Sequence, residues 1–217
     1  MVDAAEFVRQ MIDQKVLQFG DFVLKSGRNS PYFFNMGAIA HGAGLHTLGR
    51  AYARAILALP NRPEVVFGPA YKGIPIAVAT AIALDERGCT VGVAYNRKET
   101  KDHGEGGVLV GAAIENRDVV VVDDVMTAGT AVTEAVRLIE ASGANLMAVL
   151  VALDRCEILE RGLTAIEVMT ARLGVPVKSI ASLTDVMSYL DGEESYADAR
   201  ENLLAYQQRY CAMIGRT

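Results

Sequence analysis

Four consecutive valines, Val119-Val120-Val121-Val122, run directly into two acids, Asp123-Asp124, and this junction constrains the fold more than any other part of the chain. A strand with one wet face alternates apolar and polar residues, whereas a run that is apolar at every position has to be covered on both faces. Val149-Leu150-Val151 repeats the pattern. Apolar runs of this kind alternate with longer segments of helical period, separated by glycine-bearing turns. Strands are expected at 64–67, 90–95, 118–122, 146–153 and 177–180, and helices at about 44–59, 73–87, 129–142, 157–173 and 196–210. Such alternation defines an α/β fold with a central, mainly parallel sheet flanked by helices.

The N-terminal part has a different grammar. Asp3 and Glu6 form a capping box ahead of Phe7, Val8, Met11 and Ile12, which predicts a helix ending near Gly20. Phe22-Val23-Leu24 and Tyr32-Phe33-Phe34 read as short strands around the turn formers Lys25-Ser26-Gly27-Arg28-Asn29-Ser30-Pro31, giving a small hairpin cap. With no internal repeat, low-complexity tract or linker, residues 1–217 are expected to form a single domain, the cap being made by about 1–40 with the C-terminal segment. The stretch 96–107 carries neither period and is expected to be a loop; a loop of about 12 residues in a compact domain is usually functional.

Composition excludes several classes. The formal charge is −5, from 21 Lys+Arg against 26 Asp+Glu, so the broad basic footprint of general nucleic-acid binding is missing. The longest apolar-looking run, 74–84, contains Pro75 and falls well short of the roughly 20 residues that cross a bilayer. Acids near the N-terminus, where a signal peptide carries positive charge, point to a cytoplasmic protein. Cys89, Cys156 and Cys211 lack any metal-binding or C-x-x-C spacing and are read as reduced thiols. His41 and His46 form no metal pattern and are read as structural.

In open parallel sheets ligands bind beyond the carboxyl ends of the strands, so Asp123 and Asp124 stand where chemistry is done. The segment behind them, Val125-Met126-Thr127-Ala128-Gly129-Thr130-Ala131, is a small-residue turn entering a helix. Slight side chains let backbone amides close on a phosphate at the helix N-terminus, and two threonine hydroxyls add donors. Two acids at a strand end also serve merely as a helix cap; strand, acids and turn together favour the ligand reading. The G-x-x-x-x-G-K-[ST] pattern of an ATP-type phosphate loop is missing.

The thirteen residues 119–131 closely resemble the phosphoribosyl-pyrophosphate (PRPP) motif of type I phosphoribosyltransferases. Three further segments, Lys25 to Asn35, Gly68-Pro69-Ala70-Tyr71-Lys72-Gly73 and Arg97 to Gly107, resemble their counterparts in orotate phosphoribosyltransferases, in the same order along the chain. The resemblance implies the type I phosphoribosyltransferase fold with an N-terminal hood. It also implies transfer of the phosphoribosyl group from PRPP to orotate, giving orotidine 5'-phosphate and diphosphate in pyrimidine biosynthesis.

By the same resemblance, Asp123 and Asp124 contact the ribose hydroxyls, and residues 125–131 grip the 5-phosphate. Tyr71, Lys72, Arg97, Lys98, Lys101 and His103 meet the pyrophosphate. Lys101 is the residue on which rate depends most, followed by Lys25, which reaches the reaction centre. Phe33 and Phe34 flank the pyrimidine, with Thr127 beside it and Arg155 on its carboxylate, for which a guanidinium fork is a good geometric match. Mg2+ is implied, held mainly through PRPP rather than by protein ligands. A homodimer is implied too, the loop 96–107 reaching across into the neighbour's site.

Blander readings stand beside these. The loop's charges suit a solvated loop, a lone lysine at 72 suits a surface residue, and Tyr71 suits plain packing. Two consecutive aromatics on a strand face opposite ways, so at least one of Phe33 and Phe34 belongs to the core. Arg155 has ion-pair alternatives in Asp154 and Glu157. For the whole chain the competitors are a purine-type phosphoribosyltransferase and a non-catalytic PRPP-sensing regulator, the latter disfavoured by a single domain with pI near 5.3.

Overall fold

The computed structural model describes residues 4–24, 26–101, 107–126, 129–159 and 162–211, apart from the side chains of 99–101. The chain opens with α1 (Ala4–Asp13) and a hairpin of β1 (Leu17–Val23) and β2 (Asn29–Phe34). Next come α2 (Gly42–Leu57), β3 (Val65–Phe67), α3 (Gly73–Asp85), β4 (Gly92–Lys101) and β5 (Gly107–Gly111). The second half contributes β6 (Asp118–Val125), α4 (Thr130–Ala141), β7 (Asn145–Asp154), α5 (Ala165–Leu173), β8 (Val177–Ser182), α6 (Leu183–Leu190) and α7 (Ala197–Tyr210).

Among the described residues, six strands form one sheet in the order β5-β4-β3-β6-β7-β8, parallel throughout except for the β4–β5 pair. All four valines 119–122 are fully buried. The strand period divides them: Val120 and Val122 join the core under α1, α2, α3 and α6, while Val119 and Val121 join the core under α4 and α5. Each such side chain removed from water contributes about 1.5–3 kcal/mol, which is why an uninterrupted valine run folds as an interior strand.

The strand order places the site. β3 and β6 are neighbours in register, Phe67 opposite Val121. The chain leaving β3 enters α3 on one face of the sheet, and the chain leaving β6 enters α4 on the other. Two adjacent strands whose continuations part in this way leave a crevice beyond their carboxyl ends. The β3 side of it is drawn tight by two glycines. A Cβ on Gly68 would stand 2.1 Å from the carbonyl oxygen of Gly73, and one on Gly73 would stand 2.9 Å from that of Val122, so no larger residue fits without moving the turn.

Several boundaries differ from the sequence reading. α1 stops at Asp13 rather than near Gly20, because Lys15 takes a positive φ of 56° and β1 begins at Leu17. The expected loop at 96–107 is largely the arms of an antiparallel hairpin, with β4 running through Lys101 and β5 returning from Gly107. The helix expected at 157–173 starts only at Ala165, where Thr164 and Glu167 form a capping box. α6, capped by Ser182 and Asp185, was not anticipated. Asp3 of the proposed N-terminal capping box lies outside the described residues.

α3 is apolar on every side. Ile76, Ala77 and Leu84 pack into the core, while Val78 and Ile82 on the outer side are 43% and 56% exposed. No helix among the described residues is long and apolar enough to cross a membrane.

Candidate active site

The crevice between the β3 and β6 turns has a volume of about 310 Å³ and is lined by Ala70, Tyr71, Lys72, residues 123–126 and residues 129–132. Lys72, at the mouth of α3, reaches across it, its Nζ donating to Asp124 Oδ2 at 2.6 Å. The two acids are held from behind. Tyr52 of α2, fully buried, donates its hydroxyl to the backbone carbonyl of Asp123 at 2.6 Å, and Asp124 N donates to Asp123 Oδ1 at 3.0 Å. Burial, together with the Asp123 and Asp124 charges, pushes the Tyr52 phenol well above its ordinary pKa, so it remains a donor.

Asp123 is the perturbed group of the pair. Burial and the neighbouring Asp124 charge raise its pKa from 3.8 to about 6, against opposing contributions from the Asp124 amide and Lys72. A carboxylate in that state is poorly solvated and strongly receptive to donors such as hydroxyls or a cation. Behind the acids, Gly129 caps α4 with φ +67° and makes no side-chain cap bond, and the first turn of α4, residues 130–132, lines the crevice. An anion is favoured there.

Asp123, Asp124, Val125, Met126, Gly129, Thr130, Ala131, Tyr71 and Lys72 share the crevice. Met126 is 4% exposed and belongs to the core below α4, so it presents backbone rather than side chain. Tyr71 is 66% exposed, which removes the packing alternative, and Lys98 places its Nζ 4.7 Å from the Tyr71 ring centroid. Lys98 therefore leaves β4 beside the same turn. Lys25, His103, Thr127 and Ala128 lie outside the described residues, and for Lys101 only the backbone in β4 is described.

Phe33 and Phe34 do not act as a pair. Phe34 is 7% exposed and packs in the core opposite Leu17, whereas Phe33 faces outward and stacks on Phe22 at 5.4 Å. Alternation along β2 is the cause. Arg155, two residues beyond the end of the β7 core, is 6% exposed and lies 4.2 Å from the Tyr32 ring centroid. Of its two ion-pair alternatives, Glu157 is the one adopted, with Nε to Oε1 at 2.6 Å. The Asp154 carboxylate instead accepts from the Cys156 amide at 2.8 Å. Burial would lower the Arg155 pKa, but Tyr32 and Glu157 outweigh it and the net direction is upward.

Sequence reasoning missed four supporting residues, Tyr52, Asn96, Ser30 and Tyr206. Tyr52 sits on the apolar face of a helix and carries no local signal. Asn96, 8% exposed, accepts from the Ala70 amide at 3.0 Å and so ties the β4 hairpin to the β3 turn. Ser30 and Tyr206 bond Arg155 from 125 and 51 residues away. The Cys156 and Cys211 thiols, like Cys89, are free, and burial pushes the first two up to about 11 and about 12. His41 and His46 do not line the crevice. Among the described residues no group of three or more His, Cys, Asp or Glu side chains is placed to hold a metal ion.

A crevice at the switch point of a parallel sheet, with two acids at a strand end and the amino end of a helix on its lining, offers acceptors for hydroxyls and a place for an anion. The family model described as phosphoribosyl transferase domain matches residues 37–162. Orotate phosphoribosyltransferase of Nitrosococcus oceani is 48% identical over 206 residues, 94% of this chain and 94% of its own. That of Cupriavidus necator is 50% identical over 214 residues, covering 94% and 92%. A crystal structure of orotate phosphoribosyltransferase from Francisella tularensis superposes with a TM-score of 0.82 at 34% identity, covering 95% of this chain and 99% of the other. The chain belongs to the phosphoribosyltransferase family and, within it, to the orotate phosphoribosyltransferases.

The raised Asp123 pKa has a stability consequence. A carboxyl that binds its proton more tightly when folded contributes most to stability below pH 3.8 and loses that contribution as the pH rises through about 6. Asp123→Asn is therefore expected to stabilise the chain at pH 8 by up to about 3 kcal/mol and to have little effect at pH 4, while lowering activity. Denaturant unfolding at the two pH values checks this, and equal effects at both would contradict it.

Proposed function

We propose that the chain transfers the phosphoribosyl group of PRPP to N1 of orotate, releasing diphosphate and forming orotidine 5'-phosphate. The observation that carries this reading is the crevice itself, in which acids for a ribose and helix amides for its 5-phosphate lie within one turn of each other. Asp123 and Asp124 accept from the 2- and 3-hydroxyls, and Val125 to Ala131, including Thr127 and Ala128, surround the phosphate.

Bond cleavage leaves positive charge on the sugar and negative charge on diphosphate. Tyr71, Lys72, Arg97, Lys98, Lys101 and His103 are assigned to the leaving group, and fixed donors of this kind typically contribute about 10²- to 10³-fold in turnover. Lys72 is held by Asp124 until the substrate arrives, so the cation is already at the crevice without being spent in solvent. Lys25 is assigned to the reaction centre. Phe33, Phe34 and Thr127 are assigned to the pyrimidine, with Phe34 contributing through the backbone since its ring is core. Arg155 meets the orotate carboxylate. Orotate is already anionic, and no general base is assigned.

Mg2+ is assigned to PRPP itself, held mainly through the oxygens of the substrate rather than by protein ligands. When bound, the ion would draw charge from the leaving diphosphate. The reading treats 1–217 as one domain with its cap from about 1–40 and the C-terminal segment, and it places the enzyme in the cytoplasm, binding neither nucleic acid nor membrane.

The same reading includes a homodimer, with the β4–β5 hairpin serving the neighbouring site. The outer face of α3 supports it, because a helix apolar on all sides is ordinarily buried on all sides, yet Val78 and Ile82 are uncovered. Sedimentation equilibrium is expected to give twice the 23.3 kDa chain mass; a monomer mass would remove the dimer.

The activity is tested by diphosphate release from PRPP and Mg2+ with orotate, uracil, adenine or hypoxanthine as the base. Release with orotate alone is expected. Release with adenine or hypoxanthine but not orotate would place the chain among purine enzymes, and release with none would point to a PRPP sensor.

A further inference from the structure

We propose that Glu157 is a positioning residue for base recognition: its carboxylate fixes the guanidinium of Arg155 and fastens the β1–β2 hairpin and α7 to the carboxyl edge of β7. The inference rests on the orotate reading above and adds to it a residue that touches neither reacting group.

Two distant segments and the neighbouring Arg155 converge on this one side chain. Oε2 accepts from Arg28 Nη1 at 2.9 Å, from the turn between β1 and β2. Oε1 accepts from Arg155 Nε at 2.6 Å and from the Tyr206 hydroxyl of α7 at 2.6 Å. The backbone of the same segment is tied down as well: Glu157 bridges to Cys211, and Ile158 N donates to Tyr210 O at 2.8 Å.

The consequence for Arg155 is geometric. Its Nε belongs to Glu157, and its Nη2 donates to Ser30 Oγ at 3.1 Å and to the Tyr206 hydroxyl oxygen at 3.3 Å. Its plane lies against Tyr32. The Nη1 donors make no hydrogen bond to any described residue, so they form the edge left to meet a ligand. Two guanidinium groups against one carboxylate leave the trio with a net charge of +1, which suits a base bearing one carboxylate and not a neutral one.

A buried guanidinium stripped of its counter-charge is strongly disfavoured, and it turns toward whatever acceptor or solvent it can reach. Glu157→Gln keeps the side chain's shape and removes the charge. Its Michaelis constant for orotate is expected to rise about 10-fold or more, while that for PRPP changes by less than about 2-fold. Tyr206→Phe deletes one hydroxyl while keeping the ring that packs edge-on against Tyr32 at 5.9 Å. It is expected to raise the orotate constant about 3-fold, again leaving PRPP alone, and it carries the test if Glu157→Gln does not fold.

Steady-state kinetics with each substrate varied in turn separates the outcomes. An orotate-selective rise in the folded variants supports the inference. An unchanged orotate constant, or equal rises for both substrates, overturns it and leaves the orotate reading standing. A wild-type chain that does not consume orotate removes that reading, and the inference with it.

Discussion

The structure depends on the divergence of two neighbouring strands. β3 and β6 lie side by side in register, yet their chains leave for opposite faces of the sheet. The gap between the two departing turns cannot be filled by either, and whatever is placed there is presented to a ligand from both sides. One side supplies Lys72 from the start of α3, and the other supplies Asp123, Asp124 and the first turn of α4. The tight packing of Gly68 against Gly73 and of Gly73 against Val122 holds the two sides at contact distance. A ligand cleft thus follows from strand order before any particular side chain is considered.

Electrostatics then adapts that gap. Adjacent carboxylates repel each other and resist burial, and both effects appear in the raised Asp123 pKa. The fold tolerates this because Lys72 offsets Asp124 and because Tyr52 holds the strand end rigid through a backbone bond. Such a site is unstable relative to an apolar one and improves when donors arrive, the pattern expected of a binding centre held in readiness. The chain carries a net charge of −5, yet Lys72 and Lys98 stand at the crevice turn beside the acids.

Much of this was legible in the sequence because period and burial are local. Val119 to Val122 had to be an interior strand, and its position fixed where the acids would be. Failures occurred where distant partners decide conformation. β4 beyond Tyr95 looked like a loop because Arg97, Lys98 and Lys101 break any apolar pattern, and its strand character comes from pairing with β5 at the sheet edge. The segment before α5 looked helical because its bonds to Arg28, Tyr206 and Tyr210 leave no trace in its own residues. The Thr164–Glu167 capping box was present in the sequence and marked the true start. Phe33 and Phe34 were known to face opposite ways, but only the Leu17 pairing shows that Phe34 is the core member.

The central claim is that the crevice between the β3 and β6 turns holds the sugar phosphate through its strand-end acids. Calorimetric titration of PRPP with Mg2+, without any base, into the wild-type chain and Asp124→Asn tests it most directly. Saturable binding at one site per chain, weakened about 10-fold or more by the substitution, is the predicted result. Equal affinity in the two proteins would contradict it.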